Sequence, residues 1–174
     1  MKILGIDPGV ATIGYGVVKK QGKILKSLDY VCIITISEDG FYNRLSLIYK
    51  EVRNLVRQHE PDAVACEEIF FFKNTKTAIN VGHARGVILL ALNNMGIEIF
   101  EYTPLHIKQI ITGYGRAEKK EIQEEIKNIL GMDDIPKPDD AADALAVAVC
   151  HLCAKGKVKK AKKRGKIETK NKMK

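Results

Sequence analysis

The sequence predicts an α/β fold in which a mixed sheet, three antiparallel strands followed by parallel strands, is flanked by helices. Short apolar runs separated by glycine-containing turns fill the first 35 residues, a pattern typical of an antiparallel meander. From residue 41 onward, stretches with helical spacing alternate with two more short apolar runs. The hydrophobic fraction of 45% is enough for one buried core, which excludes a wholly disordered chain.

Each strand is predicted from an apolar run bounded by turn residues or acids. The second and third strands are joined by a turn at Gln21-Gly22. The fourth strand is a short apolar run that ends in acidic side chains. Strands are expected at residues 2–7, 13–19, 23–35, 63–67 and 96–102.

Helices are predicted where the apolar period changes to three or four residues. The first begins near Phe41 and ends before Pro61, because the residue before a proline disfavours the helical region. Thr103 as N-cap and Pro104 as first residue begin the third helix. A fourth helix contains Ile122 and Ile126, and a last one covers residues 141–154.

The second helix is predicted at residues 74–94. Its inward stripe is expected to comprise Ala78, Val81, Gly82, Arg85, Leu89 and Leu92. No internal repeat interrupts the order of elements. The sequence therefore predicts one domain over residues 1–154.

The formal net charge of +8 conceals two parts of opposite sign. Residues 155–174 contain 11 Lys and Arg and one Glu, a net charge of +10. The other 154 residues contain 18 basic and 20 acidic side chains, a net charge of −2. Residues 155–174 are expected to be a disordered tail, because they hold too few apolar residues to pack.

No stretch approaches the ~18 apolar residues of a membrane span. The apolar run at the N-terminus is interrupted by Asp7, so a signal peptide is not expected and a cytoplasmic location is predicted. The cysteines are therefore expected to be reduced thiols. Cys150 and Cys153 have the spacing of half a zinc site, but they lie in an apolar helical pattern and are interpreted as small buried side chains.

Four acids occupy positions where chemistry is expected. Asp7 closes the first strand and Glu67 closes the fourth, whereas Asp140 and Asp143 lie one turn apart at the start of the last helix. Each alone could be a turn former or a helix-end acid. Alanines separate the helical pair, and such small residues let a helix approach a sheet closely.

Carboxylates gathered on one such surface repel each other. A pair ~4 Å apart costs about 4 kcal/mol at an effective dielectric constant of 20. Divalent cations offset that repulsion, and oxygen ligands select Mg²⁺ or Mn²⁺. Two such ions about 3.5–4 Å apart can promote hydrolysis of a phosphodiester.

These acids belong to a series of short motifs that closely resembles the RuvC family of Holliday junction resolvases. The resemblance extends over residues 1–154, and its motifs occur in order. They are Gly5-Ile6-Asp7-Pro8-Gly9, Gly14-Tyr15-Gly16-Val17, Glu67 with Ile69-Phe70, Lys73-Asn74, Ala84-Arg85-Gly86, and Asp140-Ala141-Ala142-Asp143-Ala144-Leu145-Ala146.

The resemblance implies an RNase H-like fold and a homodimer that cuts four-way junction DNA symmetrically, leaving 5′-phosphate ends. It implies that Asp7, Glu67, Asp140 and Asp143 bind metal, with two Mg²⁺ ions per active site and Mn²⁺ as a substitute. Lys108 and Lys119 match basic residues near the scissile phosphate, and Lys119 is assigned to catalysis. Family members also work with the RuvA–RuvB branch-migration complex.

Phe70 matches a family position that acts on a base near the crossover, by stacking or unstacking. Whether Phe71 and Phe72 contact DNA or pack in the core is left open. A basic face for phosphates is predicted from Lys73, Lys76, Arg85, Lys108, Arg116, Lys119 and Lys120. The dimer is expected to form through the helix that contains residues 78–92.

Three other functions remain as alternatives. Another RNase H-like nuclease, acting on RNA–DNA hybrids or other branched DNA, would use a similar acid set. An actin-like ATPase would share the glycine-rich opening but needs a second lobe, for which 174 residues are too few. A junction-binding protein without activity would not need four carboxylates.

Overall fold

Five strands form one mixed sheet in the order β3-β2-β1-β4-β5. The computed structural model describes residues 1–68 and 75–154, with side chains omitted at 75–77. The first three strands pair antiparallel, whereas β1, β4 and β5 run parallel. This confirms the predicted fold class. The strands are β1 (Lys2–Asp7), β2 (Thr12–Gln21), β3 (Ile24–Ile34), β4 (Ala63–Glu67) and β5 (Ile99–Tyr102).

Five α-helices follow the predicted order along the described residues. They are α1 (Phe41–His59), α2 (Thr75–Asn94), α3 (Pro104–Thr112), α4 (Lys119–Leu130) and α5 (Asp139–Cys153). The predicted cap of α3 is confirmed, since the Thr103 side chain accepts a hydrogen bond from the His106 backbone N–H at 3.1 Å. None of the described helices has the length and apolar character needed to cross a membrane.

The sheet separates two hydrophobic cores because side chains alternate along its central strands. Leu4, Ile6 and Val64 point to the face covered by α1 and α2. Ile3 and Ala65 point to the opposite face, where α3, α4 and α5 pack. The same alternation determines the face on which the last residue of each strand lies.

The structure differs from the sequence prediction in the buried side of α2 and in the first residue of α5. The buried residues of α2 are Ala84, Ile88, Ala91 and Leu92, so of the predicted stripe only Leu92 is fully buried. The helix is apolar on several sides, and its period therefore does not fix which side faces the core. The helix α5 begins two residues earlier than predicted, at Asp139.

The four cysteines are free thiols, as expected for the reduced state. Cys150 is buried in the core, but Cys153 is exposed. The prediction of a buried side chain is therefore wrong for Cys153, which occupies the last residue of α5. The basic tail predicted at 155–174 lies outside the described residues, so its disorder and the domain boundary at 154 stay predictions.

Candidate active site

Asp7 and Glu67 end two neighbouring parallel strands on the same face of the sheet. In the β1–β4 register Ile6 is paired with Cys66, so the next residue of each strand comes side by side. Strand alternation places both carboxylates on the side where α5 packs. When Asp7 carries a proton it hydrogen-bonds to Glu67. The sequence prediction that these two acids share one site agrees with this placement.

Glycines in β1 and β2 let α5 lie directly on the sheet. A Cβ atom at Gly5 would lie 2.0 Å from the carbonyl oxygen of Ala144, and one at Gly14 would lie 1.9 Å from that of Asp140. At Gly16 the same atom would lie 2.7 Å from Cδ2 of Leu145. Only residues without a side chain permit this approach. The glycines therefore bring the first turn of α5 over the end of β1.

The close approach gathers three carboxylates around one point. Asp7, Asp140 and Asp143 each offer an oxygen atom, and these atoms lie within 4.8 Å of one another. Glu67 adjoins this group through its contact with Asp7. All four side chains are partly buried. A set of oxygen donors at this separation fits a hard divalent cation, and it offers no soft ligand.

The raised pKa values of these acids also indicate that the site needs a bound cation. Burial, with the nearby charges of Glu67 and Asp143, raises the pKa of Asp7 from 3.8 to about 8. Burial also raises the pKa of Glu67 and of Asp143, the latter despite a lysine beside it. The protein alone therefore disfavours full ionisation of this cluster, and a bound cation would offset both burial and mutual repulsion.

Lys119 is the cation closest to the carboxylates among the described residues. Its Nζ atom lies 2.9 Å from Oδ2 of Asp143 and 3.6 Å from Oδ2 of Asp139. Burial opposes the charge of Lys119, but the hydrogen bond from Lys119 to Asp143 and the neighbouring acids outweigh burial and raise its pKa. The lysine therefore stays charged beside the acids. Asp139, one residue before the matched acid, is a contact that the sequence did not predict.

Lys108 lies beside Lys119 in a cleft next to the acids. Its Nζ atom donates to the backbone carbonyl of Ala117 at 2.6 Å, which fixes the ammonium group. The cleft has a volume of ≈ 250 Å³, and its walls include both lysines, Glu67 and Asp143. We refer to it as the lysine cleft. The lysine cleft therefore places two of the predicted basic residues near two of the predicted metal ligands.

The other predicted DNA contacts are distributed differently. The Arg85 guanidinium forms an ion pair with Glu101, so it is engaged within the protein. Lys120 is exposed on α4 near glutamates, and Arg116 is exposed before that helix. Phe70, Phe71, Phe72 and Lys73 lie outside the described residues, as does the side chain of Lys76. Their predicted contacts with DNA stay predictions.

The glycine contacts with α5 are a functional feature that the sequence interpretation missed. Gly5, Gly14 and Gly16 belong to the sequence motifs of the first two strands, and alanines are frequent in α5. The signal was present, since glycines at every second position of a strand lie on one face of the sheet. Only the β1–β2 register shows that Gly14 lies beside Asp7.

Comparison of the whole sequence with known proteins identifies a family of nucleases, which is consistent with this acidic site. The family model described as "Crossover junction endodeoxyribonuclease RuvC" matches residues 3–151. A protein of that name from Ruminiclostridium cellulolyticum is 55% identical over 151 residues, which covers 87% of this chain and 91% of the relative. One from Finegoldia magna is 51% identical over 152 residues, covering 87% and 93%.

Solved structures show the same relationship. The structure of Thermus thermophilus RuvC matches with a TM-score of 0.82 at 35% identity, covering 87% of this chain and 93% of the other. T. thermophilus RuvC in complex with a Holliday junction substrate matches with a TM-score of 0.80 at 32% identity and the same coverage. The yeast mitochondrial Holliday junction resolvase Ydc2, at 10% identity and a TM-score of 0.64, shares the fold.

Proposed function

Because this chain belongs to the RuvC family of crossover junction endodeoxyribonucleases, we propose that it resolves Holliday junctions by metal-dependent hydrolysis of two phosphodiester bonds. The observation that carries the proposal is the convergence of Asp7, Asp140 and Asp143 within 4.8 Å, with Glu67 beside them. That arrangement supports metal-dependent hydrolysis of a phosphodiester, and it gives each of the four matched acids a role in holding the metal. Membership of the family supports a role in DNA recombination and repair.

We infer that Asp7, Glu67, Asp140 and Asp143 hold two Mg²⁺ ions, with Mn²⁺ as a substitute. Bound ions of this kind polarise a phosphoryl oxygen and lower the pKa of a water molecule that they bind. The protein supplies fixed positions, because two of the acids end paired strands and the other two lie on one face of α5. Oxygen ligands on rigid elements favour a small, hard ion.

Lys119 and Lys108 act on the phosphate itself in this mechanism. The cleft that they line opens beside Glu67 and Asp143, so a phosphate entering it meets two fixed ammonium groups. Positive charge in a partly enclosed site stabilises the negative charge that develops as a phosphodiester is attacked. Cleavage of the bond to the 3′ oxygen leaves a 5′-phosphate and a 3′-hydroxyl, ends that a ligase can rejoin.

A symmetric cut needs two sites, and we propose that they come from a homodimer with twofold symmetry. The helix α2 presents Ile79 and Leu90 to solvent, with 61% and 52% of their surfaces exposed. These residues are 11 positions apart, close to three helical turns, so they share one face. Leu90→Glu should shift the protein from dimer to monomer in sedimentation, and an unchanged dimer would exclude this face. Cooperation with RuvA–RuvB in the cytoplasm is part of the same proposal.

Cleavage of synthetic four-way junctions tests the proposed function. Purified protein with Mg²⁺ should cut two strands of like polarity at matching positions, and it should leave a linear duplex of the same sequence intact. An RNA–DNA hybrid tests the remaining alternative, because an RNase H-like nuclease of another class would cut the hybrid in preference. Preference for the hybrid over the junction would overturn the assignment.

A further inference from the structure

A second cleft borders the carboxylates at Asp140 and shares no wall residue with the lysine cleft. It has a volume of ≈ 770 Å³, and its walls include Asp140, the loop between β1 and β2, Arg44 and the first half of α2. We refer to it as the Arg44 cleft. The two clefts therefore border the same acid cluster at different acids, one at Asp140 and the other at Glu67 and Asp143.

The guanidinium group that borders this cleft is held in place. Arg44 Nε donates to Thr35 Oγ1 at 2.8 Å, and the Thr35 hydroxyl donates to the backbone carbonyl of Val10 at 2.5 Å. Thr35 is only 5% exposed, and its backbone N–H donates to Ala11 at 2.9 Å. This chain of hydrogen bonds ties α1 to the loop that follows Asp7. It therefore fixes both the loop and the arginine relative to the metal ligands.

The remaining donors of Arg44 have no fixed partner among the described residues. Over residues 1–68 and 75–154, no hydrogen bond or ion pair uses its two terminal nitrogens. Glu38 lies near enough to interact with Arg44 electrostatically, but its carboxylate accepts a hydrogen bond from the Ser37 hydroxyl at 3.0 Å instead of forming an ion pair. An arginine held at Nε presents its other nitrogens as a preorganised fork for two oxygens of one phosphate.

The rest of the cleft suits a nucleotide strand rather than a free anion. Val10 and Ala11 give it apolar walls, and a deoxyribose can pack against such surfaces. Asp140 gives it a negative charge, which would repel an anion in the absence of a cation. A strand that crosses the acid cluster would meet cations on both sides, Lys108 and Lys119 in one cleft and Arg44 in the other.

We propose that Arg44 binds a phosphate of the cleaved strand, on the opposite side of the scissile phosphate from Lys108 and Lys119. Thr35 is then a positioning residue, because it holds the guanidinium without touching DNA. This inference rests on the proposed function, since it assumes that a DNA strand crosses the carboxylates. It assigns to the Arg44 cleft one partner, a single strand of DNA near the crossover.

Arg44→Gln tests the phosphate contact, and Arg57→Gln is its matched control. Both variants remove one guanidinium from α1, but Arg57 is exposed 13 residues farther along the helix, about 20 Å from Arg44 at 1.5 Å per residue. Junction binding by Arg44→Gln should weaken about 10-fold, and its slope against log salt should become shallower by roughly 0.9. Arg57→Gln should change neither. Arg44→Lys, which retains the charge, should recover the salt slope.

Junctions with single uncharged methylphosphonates then locate the contact. A set of these junctions would neutralise, one at a time, the phosphates flanking the cleavage point. For wild type and Arg57→Gln, a methylphosphonate at one flanking position should reduce affinity for the junction. The same methylphosphonate should not reduce the affinity of Arg44→Gln any further. A contact between Arg44 and that phosphate predicts this loss of additivity, because each change removes the same interaction.

Several outcomes would overturn the proposal while leaving the proposed function intact. Wild type that cuts junctions, together with effects of Arg44→Gln that add to every methylphosphonate, would show that Arg44 contacts none of these phosphates. Slower cleavage by folded Arg44→Gln with an unchanged salt slope would show that it only supports the loop at Val10. Failure of wild type to cut any junction would instead overturn the proposed function.

Discussion

Gly14 lies so close to Asp140 that a Cβ atom on the glycine would be 1.9 Å from the aspartate carbonyl oxygen. Gly14 is paired with Asp7 in the β1–β2 register. This backbone contact therefore helps to set the distance between Asp7, on the strand paired with Gly14, and the two proposed metal ligands on α5. The separation of the carboxylates depends on the absence of a side chain at this position.

Gly14→Ala should damage catalysis more than folding. The added methyl group forces the start of α5 away from β2 because it meets backbone atoms, which have no alternative rotamer. Overpacking of this kind costs about 1–3 kcal/mol of stability. Displacement of catalytic groups by about 1 Å can reduce the rate ~100-fold. Thermal unfolding and single-turnover cleavage of a junction would measure the two effects, and a folded variant with a near wild-type rate would show that the contact does not set the geometry.

Lys119→Gln should slow the chemical step by about 100- to 1,000-fold, the range found for removing one electrostatic donor from an active site. Binding of the junction should change little by comparison, because the stabilised charge develops only during the reaction. Lys127→Gln is a suitable control, since it removes the same charge two turns farther along α4. Equal rates for the two variants would exclude Lys119 from catalysis.

The stability of the protein should depend on pH through Asp7 when divalent cations are removed. Its pKa is about 8 in the folded protein, against a usual value of 3.8. Between these values the folded state binds a proton that the unfolded state releases, so the free energy of unfolding falls as pH rises through about 8. The contribution is fully present below about pH 3.8.

Thermal melts from pH 6 to 9 in chelator would measure this dependence. Wild type should lose stability with pH more steeply than Asp7→Asn, which carries no titratable group at this position. Addition of Mg²⁺ should reduce the wild-type slope, because a bound cation favours the ionised carboxylate. Parallel curves for the two proteins would contradict the raised pKa of Asp7.

Removal of residues 155–174 should weaken DNA binding without abolishing cleavage. These residues carry a net charge of +10, and every described residue of the candidate site lies before them. The slope of log affinity against log salt should become shallower by at least about 2, equivalent to two or more lost phosphate contacts. Fluorescence anisotropy at several salt concentrations would measure it. A folded truncated protein that is inactive at low salt would place the tail in the catalytic apparatus.

The sequence predicted the sheet well because its strands carry strong local signals. Both β1 and β4 are short apolar runs closed by an acid, and the residues before that acid are almost all buried. The inward face of α2 was not predictable in this way. The helix α2 carries apolar side chains on several sides, and tertiary packing determines that Ala84 and Ile88 are the ones buried.

The positions of the acids in the candidate site could be predicted from the sequence, but the contacts that surround them could not. Asp140 and Asp143 could be placed on one helix face from their spacing alone. The ion pair between Arg85 and Glu101 depends on how α2 packs against β5, which local sequence does not specify. The hydrogen bonds that link Arg44, Thr35 and Val10 join three separate segments, with Val10 25 residues before Thr35.

Junction cleavage by wild type and Asp7→Asn, measured beside junction binding, tests the central claim most directly. The substitution preserves the shape of the side chain at the end of β1 but removes the charge that a cation would bind. Asp7→Asn should lose at least about 100-fold in cleavage rate, since changes even to the partners of metal ligands cost 10- to 100-fold, while its affinity for the junction stays near that of wild type. Cleavage by Asp7→Asn at a near wild-type rate would contradict the assignment of the carboxylate cluster as the catalytic metal site.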